Sequence, residues 1–218
     1  MIDKVSPSRW RLYVITDEAL GRGRSHIDIA EAAIRGGADV IQLRDKTASG
    51  GTLYRVALAL RTLTREANVP LIINDRLDVA LAVDADGVHL GQRDLPASVA
   101  RSIMGPGRIL GVSAETLTEA LLAEKDGADY LGVGPVFEAR KTKADAGEPL
   151  GLERIARIRK HCRLPIVAIG GIHAQNARQV REAGADSAAV ISAIVGADDI
   201  ARAAGQMKSL LRLPGEPP

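Results

Sequence analysis

Side chains that bind anions follow a short apolar segment near the start of the sequence. VIQLRDK (residues 40–46) begins with the apolar residues Val40 and Ile41. Every second residue after them is polar, namely Gln42, Arg44 and Lys46. Alternate side chains of an extended strand lie on the same face, so one amide and two cations would point in one direction. Arginine offers a planar fork of donors and lysine a point charge, and both suit phosphate oxygens. The segment therefore indicates an anion site.

Further donors follow other predicted strands. Asn74 ends PLIIND, Ser113 ends ILGVS, and Lys143 lies in the loop EARKTKADAGEP (residues 138–149). One loop lysine alone would be an ordinary solvated residue. Donors at four separate strand ends are better explained by one shared anion, because the C-terminal ends of parallel barrel strands meet at one face.

Two carboxylates, Asp75 and Asp94, follow neighbouring predicted strands. Beside cations alone they would be salt-bridge partners, and each could instead stabilise the N-terminus of the helix that follows it. Beside a diphosphate they suit Mg2+, which takes one or two carboxylates together with phosphate oxygens and water. All three interpretations remain open at this point.

A second anion site is predicted after the last two strands, in AIGGI and VISAI. The glycines of AIGGI would let backbone N–H groups approach a ligand closely. Loops after the seventh and eighth strands commonly bind phosphate in barrel enzymes. We expect Gly171, Ile191 and Ser192 to bind a phosphate monoester there, with the diphosphate near the second to fifth strands. Gln42 would hydrogen-bond the group to which the diphosphate is attached.

The histidines and the single cysteine indicate no covalent catalyst. His26 and His161 are predicted on helix surfaces. His89 is predicted to end the fourth strand and His173 follows the glycine pair, and neither has a Ser or Cys nucleophile in the same motif. A structural, hydrogen-bonded role is therefore favoured over acid–base work for both. Cys162 cannot form an intrachain disulfide and is expected to pack as a small apolar residue near a helix end.

The elements that must position these residues alternate along the chain. Helical patterns separate short strands rich in Val and Ile and bounded by Gly, Pro or Asp. Four strands follow an Ala-Asp pair, at Asp39, Asp86, Asp129 and Asp186. Eight β-α units without a composition break predict an α/β protein with a single (β/α)8 TIM barrel. An open doubly wound sheet is the structural alternative.

One domain over residues 1–218 is expected, with the ordered barrel at about 11–212 and a frayed tail at 213–218. The chain has 218 residues, 46% hydrophobic and 26% charged, which is ordinary for a soluble globular protein. A net charge of +2 and 2% aromatic residues argue against a nucleic-acid partner. With no apolar leader and no run of membrane-spanning length, a cytoplasmic location is expected.

The ordered motifs resemble those of the thiamine phosphate synthase family. They are YVITD, QLRDK, LIIND, DGVHLGQRDLP, GVS, GVGPVF, TKADAG, AIGGI and VISAI, spread over residues 13–199. QLRDK with IND and HLGQRDLP is specific, whereas AIGGI is shared with several phosphate-binding barrels.

The resemblance implies a reaction. The family joins 4-amino-2-methyl-5-hydroxymethylpyrimidine diphosphate to 4-methyl-5-(2-phosphoethyl)thiazole, or to its carboxylated precursor. Thiamine phosphate forms and pyrophosphate leaves, in a Mg2+-dependent, dissociative reaction. Small-molecule substrates and a possible homo-oligomer are implied, without nucleic acid or membrane.

The resemblance also implies roles for residues. The pyrimidine diphosphate would be bound by Gln42, Leu43, Arg44, Asp45, Lys46, Asn74, Ser113 and Lys143, and the thiazole phosphate by Thr142, Gly171, Ile191 and Ser192. Mg2+ would be held by Asp75 and Asp94. The leaving diphosphate would be stabilised by Arg44, Lys46, Ser113 and Lys143.

The loop after the sixth strand departs from the family pattern, which often reads Pro-Thr-x-Thr-Lys. Here it is one residue longer with a single Thr, and Arg140 or Lys141 could replace the missing hydroxyl. Two alternatives remain for the whole protein. One is a thiazole tautomerase or regulatory paralogue of this family, and the other is a barrel isomerase of phosphorylated metabolites.

Overall fold

A closed barrel of eight parallel strands forms the centre of the molecule. The computed structural model describes residues 6–139 and 148–216. The strands are β1 (Leu12–Thr16), β2 (Val40–Leu43), β3 (Leu71–Asn74), β4 (Gly87–Leu90), β5 (Ile109–Ser113), β6 (Tyr130–Val133), β7 (Ile166–Ile169) and β8 (Ser187–Val190). They pair in chain order, and β8 pairs with β1 to close the ring. The predicted (β/α)8 barrel is confirmed.

Helices connect the strands on the outside of the ring. They are α1 (His26–Arg35), α2 (Gly50–Glu66), α3 (Leu77–Ala82), α4 (Ala97–Met104), α5 (Leu117–Lys125), α6 (Gly151–His161), α7 (Ala177–Glu182), α8 (Ser192–Val195) and α9 (Ile200–Leu210). A short 3-10 turn, Pro7–Arg9, precedes β1. Capping boxes begin α1 at Ser25 and α5 at Thr116, where each side chain accepts a backbone N–H of the first turn.

Strand side chains divide between two apolar layers. Those pointing outward pack under the helices in one continuous core, and those pointing inward fill the barrel. The inward cluster is Trp10, Tyr13, Ile15, Val40, Ile72, Ile109, Tyr130, Val167 and Ala189. Because both faces of every strand are covered, the strands read as nearly continuous apolar runs.

The aspartates of the four repeated Ala-Asp pairs make the same kind of contact at the N-terminal end of the barrel. Each aspartate precedes an even-numbered strand and accepts a backbone N–H at the start of the preceding odd-numbered strand. The contacts are Asp39 to Leu12 N (2.9 Å), Asp86 to Leu71 N (2.9 Å), Asp129 to Leu110 N (2.7 Å) and Asp186 to Ile166 N (2.7 Å). A basic side chain from a helix also binds each one, namely Lys208, Arg61, Arg101 and Arg159. Each aspartate thus joins a strand backbone to a basic side chain of a helix. We call these four repeated contacts the ionic clasp, and they stabilise this end of the barrel.

Two sequence-based expectations about single residues have different outcomes. Cys162 is buried at the end of α6, as predicted. His26 is only 3% exposed, so the prediction of a surface position is wrong. The ring turns inward toward the loops after β1 and β2, a direction that helical periodicity alone did not indicate.

Glu216, in the tail predicted to be frayed, forms ion pairs with Arg11 and Arg181.

Within residues 6–139 and 148–216, no helix is both long and apolar enough to cross a membrane.

The ionic clasp predicts a stability effect far from the cavity. Asp186→Ala removes the acceptor for Ile166 N and leaves Arg159 without its carboxylate, so we expect the free energy of unfolding to fall by about 2–3 kcal/mol. Urea unfolding followed by circular dichroism measures this. Asp198→Ala, which removes a carboxylate with 91% side-chain exposure, should change stability by less than about 0.5 kcal/mol. Equal losses in both variants would contradict the proposed role of the clasp.

Candidate active site

A cavity of about 460 Å³ opens at the C-terminal ends of the strands. Its lining combines polar side chains from several strand ends, as the sequence analysis anticipated. The predicted site residues that line it are Gln42, Arg44, Lys46, Asn74, Asp75, Asp94, Ser113, Gly171, Ile191 and Ser192. The structure therefore places four of the expected anion donors, Arg44, Lys46, Asn74 and Ser113, in one space with both carboxylates and the glycine loop.

The remaining predicted residues lie elsewhere or outside the described ranges. Leu43 points outward and is 1% exposed in the core beneath the helices, so its side chain does not reach the cavity. Asp45 folds back on its own loop, where Oδ1 accepts the N–H groups of Thr47 (2.8 Å) and Ala48 (2.9 Å). Thr142 and Lys143, together with Arg140 and Lys141, lie outside the residues that the structure describes.

The two carboxylates form a pair at the rim. Asp75 has a left-handed backbone with φ of 62°, and its N–H donates to the carbonyl of His89 (2.8 Å). Such backbone conformations are costly for residues other than glycine and concentrate at functional sites. Asp94 Oδ2 accepts the backbone N–H of Gly91 (2.7 Å), which orients that carboxylate. A backbone contact thus holds the main chain at Asp75, and another orients the Asp94 carboxylate.

The electrostatics of this pair are unusual for aspartate. Burial raises the pKa of Asp75 to about 6, and a hydrogen bond with Asp94 and the charge of Asp94 add to the rise. Lys46 and Arg44 act in the opposite direction, and Lys46 Nζ lies 3.9 Å from Asp75 Oδ2. Two neighbouring carboxylates that share a hydrogen bond favour either a proton or a cation between them.

The chemistry of this pair fits Mg2+. Among the described residues there is no group of three or more His, Cys, Asp or Glu side chains able to enclose a metal. Mg2+ does not need such a cage, because it commonly takes one or two carboxylates and completes its shell with phosphate oxygens and water. Asp75 and Asp94 beside two cations therefore suit a metal that arrives with a diphosphate.

A chain of buried hydrogen bonds crosses the floor of the cavity. Gln42 Nε2 donates to the Tyr13 hydroxyl (2.7 Å), which lies 2.9 Å from the Tyr130 hydroxyl. Tyr130 in turn contacts His89 Nδ1 (3.1 Å), and His89 Nε2 contacts Ser113 Oγ (3.0 Å). The prediction that His89 is hydrogen-bonded is confirmed. The chain joins side chains from five strands into one network.

The direction of this chain follows from the Gln42 amide. An amide N–H that donates to Tyr13 leaves the Tyr13 proton to donate to Tyr130, and the Tyr130 proton to donate to His89 Nδ1. His89 then carries its proton on Nε2 and donates to Ser113 Oγ. The Ser113 hydroxyl proton is left to donate to a ligand in the cavity. Burial raises the pKa of both tyrosines well above the ordinary value, which keeps the hydroxyls protonated.

The tyrosines were not identified from the sequence, although a signal existed. Both lie at inward positions of apolar strands, and glycines make room for the rings of Tyr130 and of its partner His89. A Cβ on Gly111 would lie 2.1 Å from Tyr130 Cζ, and one on Gly132 would lie 2.8 Å from His89 Cε1. Glycine in the middle of a strand often marks such a close approach.

The loop after β7 lies across the ring from the carboxylate pair. Gly170 and Gly171 have φ of 99° and 64°. A Cβ at Gly170 would lie 2.6 Å from Pro135, and one at Gly171 would lie 2.6 Å from the carbonyl oxygen of Glu138. The glycine pair therefore lets this backbone pass close to the loop after β6 while it lines the cavity.

A (β/α)8 barrel with cations, a carboxylate pair and a glycine loop at one mouth defines an enzyme that binds phosphorylated small molecules. Residues 12–194 match the family model described as thiamine monophosphate synthase. The chain belongs to this family, which confirms the resemblance stated from the motifs.

Curated relatives with full-length matches carry the same description. A thiamine-phosphate synthase of Chloroflexus aurantiacus is 58% identical over 207 residues, covering 95% of this chain and 95% of the relative. One of Moorella thermoacetica is 52% identical over 203 residues, covering 93% of this chain and 96% of the relative. The similarity is therefore not confined to one part of the barrel.

Solved structures agree on the fold. A thiamine phosphate pyrophosphorylase from Pyrococcus furiosus superposes with a TM-score of 0.86 at 44% identity, covering 94% of this chain and 96% of that one. A 3-hexulose-6-phosphate synthase reaches a TM-score of 0.65 at 18% identity, covering 92% of this chain and 99% of that one. The second likeness concerns the fold alone.

The raised pKa of Asp75 predicts that this residue destabilises the metal-free protein at neutral pH. The pKa of about 6 in the folded state exceeds the ordinary value of 3.8, so stability falls as pH rises between these values and stays lower above them. Asp75→Asn should therefore raise the free energy of unfolding at pH 7.5 by about 1 kcal/mol, after allowance for solvent screening. Asparagine also tolerates the left-handed backbone.

Urea unfolding in EDTA at pH 7.5 measures this effect, and the gain should shrink at pH 4. Asp78→Asn is the matched control, because the pKa of Asp78 is lowered, first of all by its hydrogen bond with Arg76. That control should gain no stability. A less stable Asp75→Asn protein at pH 7.5 would contradict the electrostatic interpretation.

Proposed function

We propose that this protein is a Mg2+-dependent thiamine-phosphate synthase that joins the aminopyrimidine diphosphate to the thiazole phosphate and releases pyrophosphate, with CO2 leaving as well when the carboxylated thiazole is the substrate. The observation that carries the proposal is the convergence of Arg44, Lys46, Asp75 and Asp94 on one cavity. Family membership supports the same reaction.

The cations and the floor of the cavity have separate tasks in this proposal. Arg44 and Lys46 bind the diphosphate oxygens, and the Ser113 hydroxyl donates to the same group. Arg44 is oriented by Asp17, whose Oδ2 lies 3.5 Å from Arg44 Nη1. Asn74 lines the same side of the cavity and helps to hold the pyrimidine diphosphate. Lys143, outside the described residues, is proposed to contribute a further charge.

Asp75 and Asp94 would hold the Mg2+, which when bound supplies positive charge to the diphosphate oxygens. The surrounding residues orient this pair in advance, since the backbone N–H of Gly91 binds the Asp94 carboxylate and Lys46 lies beside the Asp75 carboxylate. A bound diphosphate then meets two acidic and two basic groups, Asp75, Asp94, Arg44 and Lys46, on the same rim.

The bond changes require no protein nucleophile. The C–O bond between the pyrimidine methylene and the diphosphate breaks, and its electron pair leaves with the diphosphate. The resulting pyrimidine methyl cation is stabilised by the ring amino group, and the thiazole nitrogen lone pair forms the new C–N bond. The protein holds both substrates together and stabilises the leaving charge.

Gly171, Ile191 and Ser192 are proposed to bind the thiazole phosphate, together with Thr142 outside the described ranges. A barrel isomerase would use such a phosphate loop but would not need the carboxylate pair beside Arg44 and Lys46. A tautomerase or regulatory paralogue would not need the diphosphate donors. A homo-oligomer and a cytoplasmic location stay predictions.

Turnover tests the proposed function directly. Purified protein given both substrates and Mg2+ should release pyrophosphate, and EDTA should stop the release because the diphosphate loses its counter-charge. Lys46→Ala should lower kcat/KM by about 100-fold, since it removes a charge from the leaving group. Lys125→Ala, on the exposed surface of α5, is the control and should match wild type. Absence of pyrophosphate release from the wild-type protein would overturn the assignment.

The buried chain predicts a role for tyrosine hydroxyls. Tyr130→Phe interrupts the path from Gln42 to Ser113 and leaves His89 Nδ1 without its donor. We expect kcat/KM for the pyrimidine diphosphate to fall by about 10-fold, the effect of one misplaced hydrogen bond of about 1.4 kcal/mol. Tyr54→Phe, at an exposed position of α2, should leave it unchanged. Equal rates for the two variants would show that the chain does not orient the site.

A further inference from the structure

His26 is a buried ionisable residue to which the proposed reaction assigns no role. It is the first residue of α1. Among the described residues, none hydrogen-bonds its Nε2 atom, although the atom is fully buried. Buried polar atoms are nearly always satisfied, so this one calls for an explanation. The groups that the His26 ring faces provide this explanation.

A short hydrogen bond joins His26 to the end of β1. His26 Nδ1 lies 2.7 Å from the Thr16 hydroxyl oxygen, and that hydroxyl lies 3.3 Å from the carbonyl oxygen of Gln42. This links α1 through Thr16 to the backbone of Gln42, where the anion-binding segment begins.

The Nε2 atom faces carboxylates on both adjoining loops. Asp45 Oδ2 lies at 3.7 Å and Glu18 Oε1 at 4.0 Å. Glu18 also accepts the backbone N–H of His26 at 3.0 Å, which brings its carboxylate to the start of the helix. An unprotonated Nε2 would turn a lone pair toward two carboxylates, whereas a protonated one would donate toward them.

Asp45 connects His26 to the anion-binding segment, residues 42–46. One of its oxygens is occupied by Thr47 and Ala48, and the other faces His26. Burial raises the pKa of Asp45, but those hydrogen bonds and the charge of His26 outweigh burial and lower it overall. Asp45 lies between Arg44 and Lys46, so its position sets the start of both cationic side chains.

We propose that His26 is a positioning residue that holds the segment from Gln42 to Lys46 at two points, through Thr16 and through Asp45. It acts behind the segment and does not touch the ligand. Without it, Arg44 and Lys46 would sample more orientations, and the diphosphate would bind less tightly. This inference rests on the proposed function, because it concerns the binding of a diphosphate by these cations.

Binding of each anion measured separately tests the proposal. In His26→Ala, Kd for pyrophosphate with Mg2+ by calorimetry should rise by about 10-fold, as should KM for the pyrimidine diphosphate. Kd and KM for the thiazole phosphate should change by less than about twofold. Asp186→Ala, destabilised at the opposite end of the barrel, is the control and should alter neither affinity. Equal weakening of both ligands in His26→Ala would indicate a merely structural residue and overturn the proposal.

Conservative variants separate the two points of attachment. His26→Asn places an amide near the former Nδ1 position and should keep the Thr16 contact, while His26→Gln reaches toward Asp45. Each should retain more pyrophosphate affinity than His26→Ala, and both keep the test possible if the alanine variant does not fold. Affinities no better than that of a folded alanine variant would count against both contacts.

A double-mutant cycle with Asp45→Asn tests the path. That change keeps Oδ1 for Thr47 and Ala48 and replaces the oxygen that faces His26. If His26 acts through Asp45, His26→Asn, which loses the contact with Asp45, should cost pyrophosphate affinity in the wild-type background and about twofold less in the Asp45→Asn background. Independent effects that simply multiply would exclude Asp45 as the intermediary. Wild-type protein without turnover would instead indicate failure of the proposed function.

Discussion

Closure of a parallel sheet is the constraint on which every other feature of this molecule depends. When β8 pairs with β1, all eight strands point the same way and their C-terminal ends meet around one mouth. Residues as distant in sequence as Gln42 and Ser192 then share one cavity. The opposite mouth contains the four aspartates that bind strand backbones, so stability and chemistry occupy different ends of the barrel.

The carboxylate pair shows how this arrangement concentrates charge. Asp75 and Asp94 repel each other at the rim, and Asp75 in addition adopts a left-handed backbone. Lys46 and Arg44 offset only part of this unfavourable energy. The fold tolerates the remainder because the rest of the barrel is well packed. Local strain of this kind is typical of sites arranged for a ligand that supplies the missing charge.

The interior of the barrel combines apolar packing with a polar path. Trp10 packs edge-on against Tyr13 and Tyr130, with ring centroids 5.8 Å and 5.4 Å away, and fills the barrel below the cavity. The hydroxyls of both tyrosines rise from this apolar layer into the hydrogen-bond chain that ends at Ser113. Gly111 and Gly132 make the crossing possible, because side chains there would occupy the space of the Tyr130 and His89 rings. Floor and rim are therefore built by the same strands.

The sequence by itself determined the order of the elements, the barrel and many of the polar residues that line the cavity. These follow from local information, since strand and helix periodicity and glycine or proline boundaries act over a few residues, and strand ends of a parallel barrel converge. Tertiary structure alone decided that Leu43 turns outward, that Asp45 folds back and that His26 is buried. It also decided that Tyr13 and Tyr130 meet across the barrel. The direction of a side chain and its partner depend on register, twist and the elements packed opposite, which no short stretch of sequence encodes.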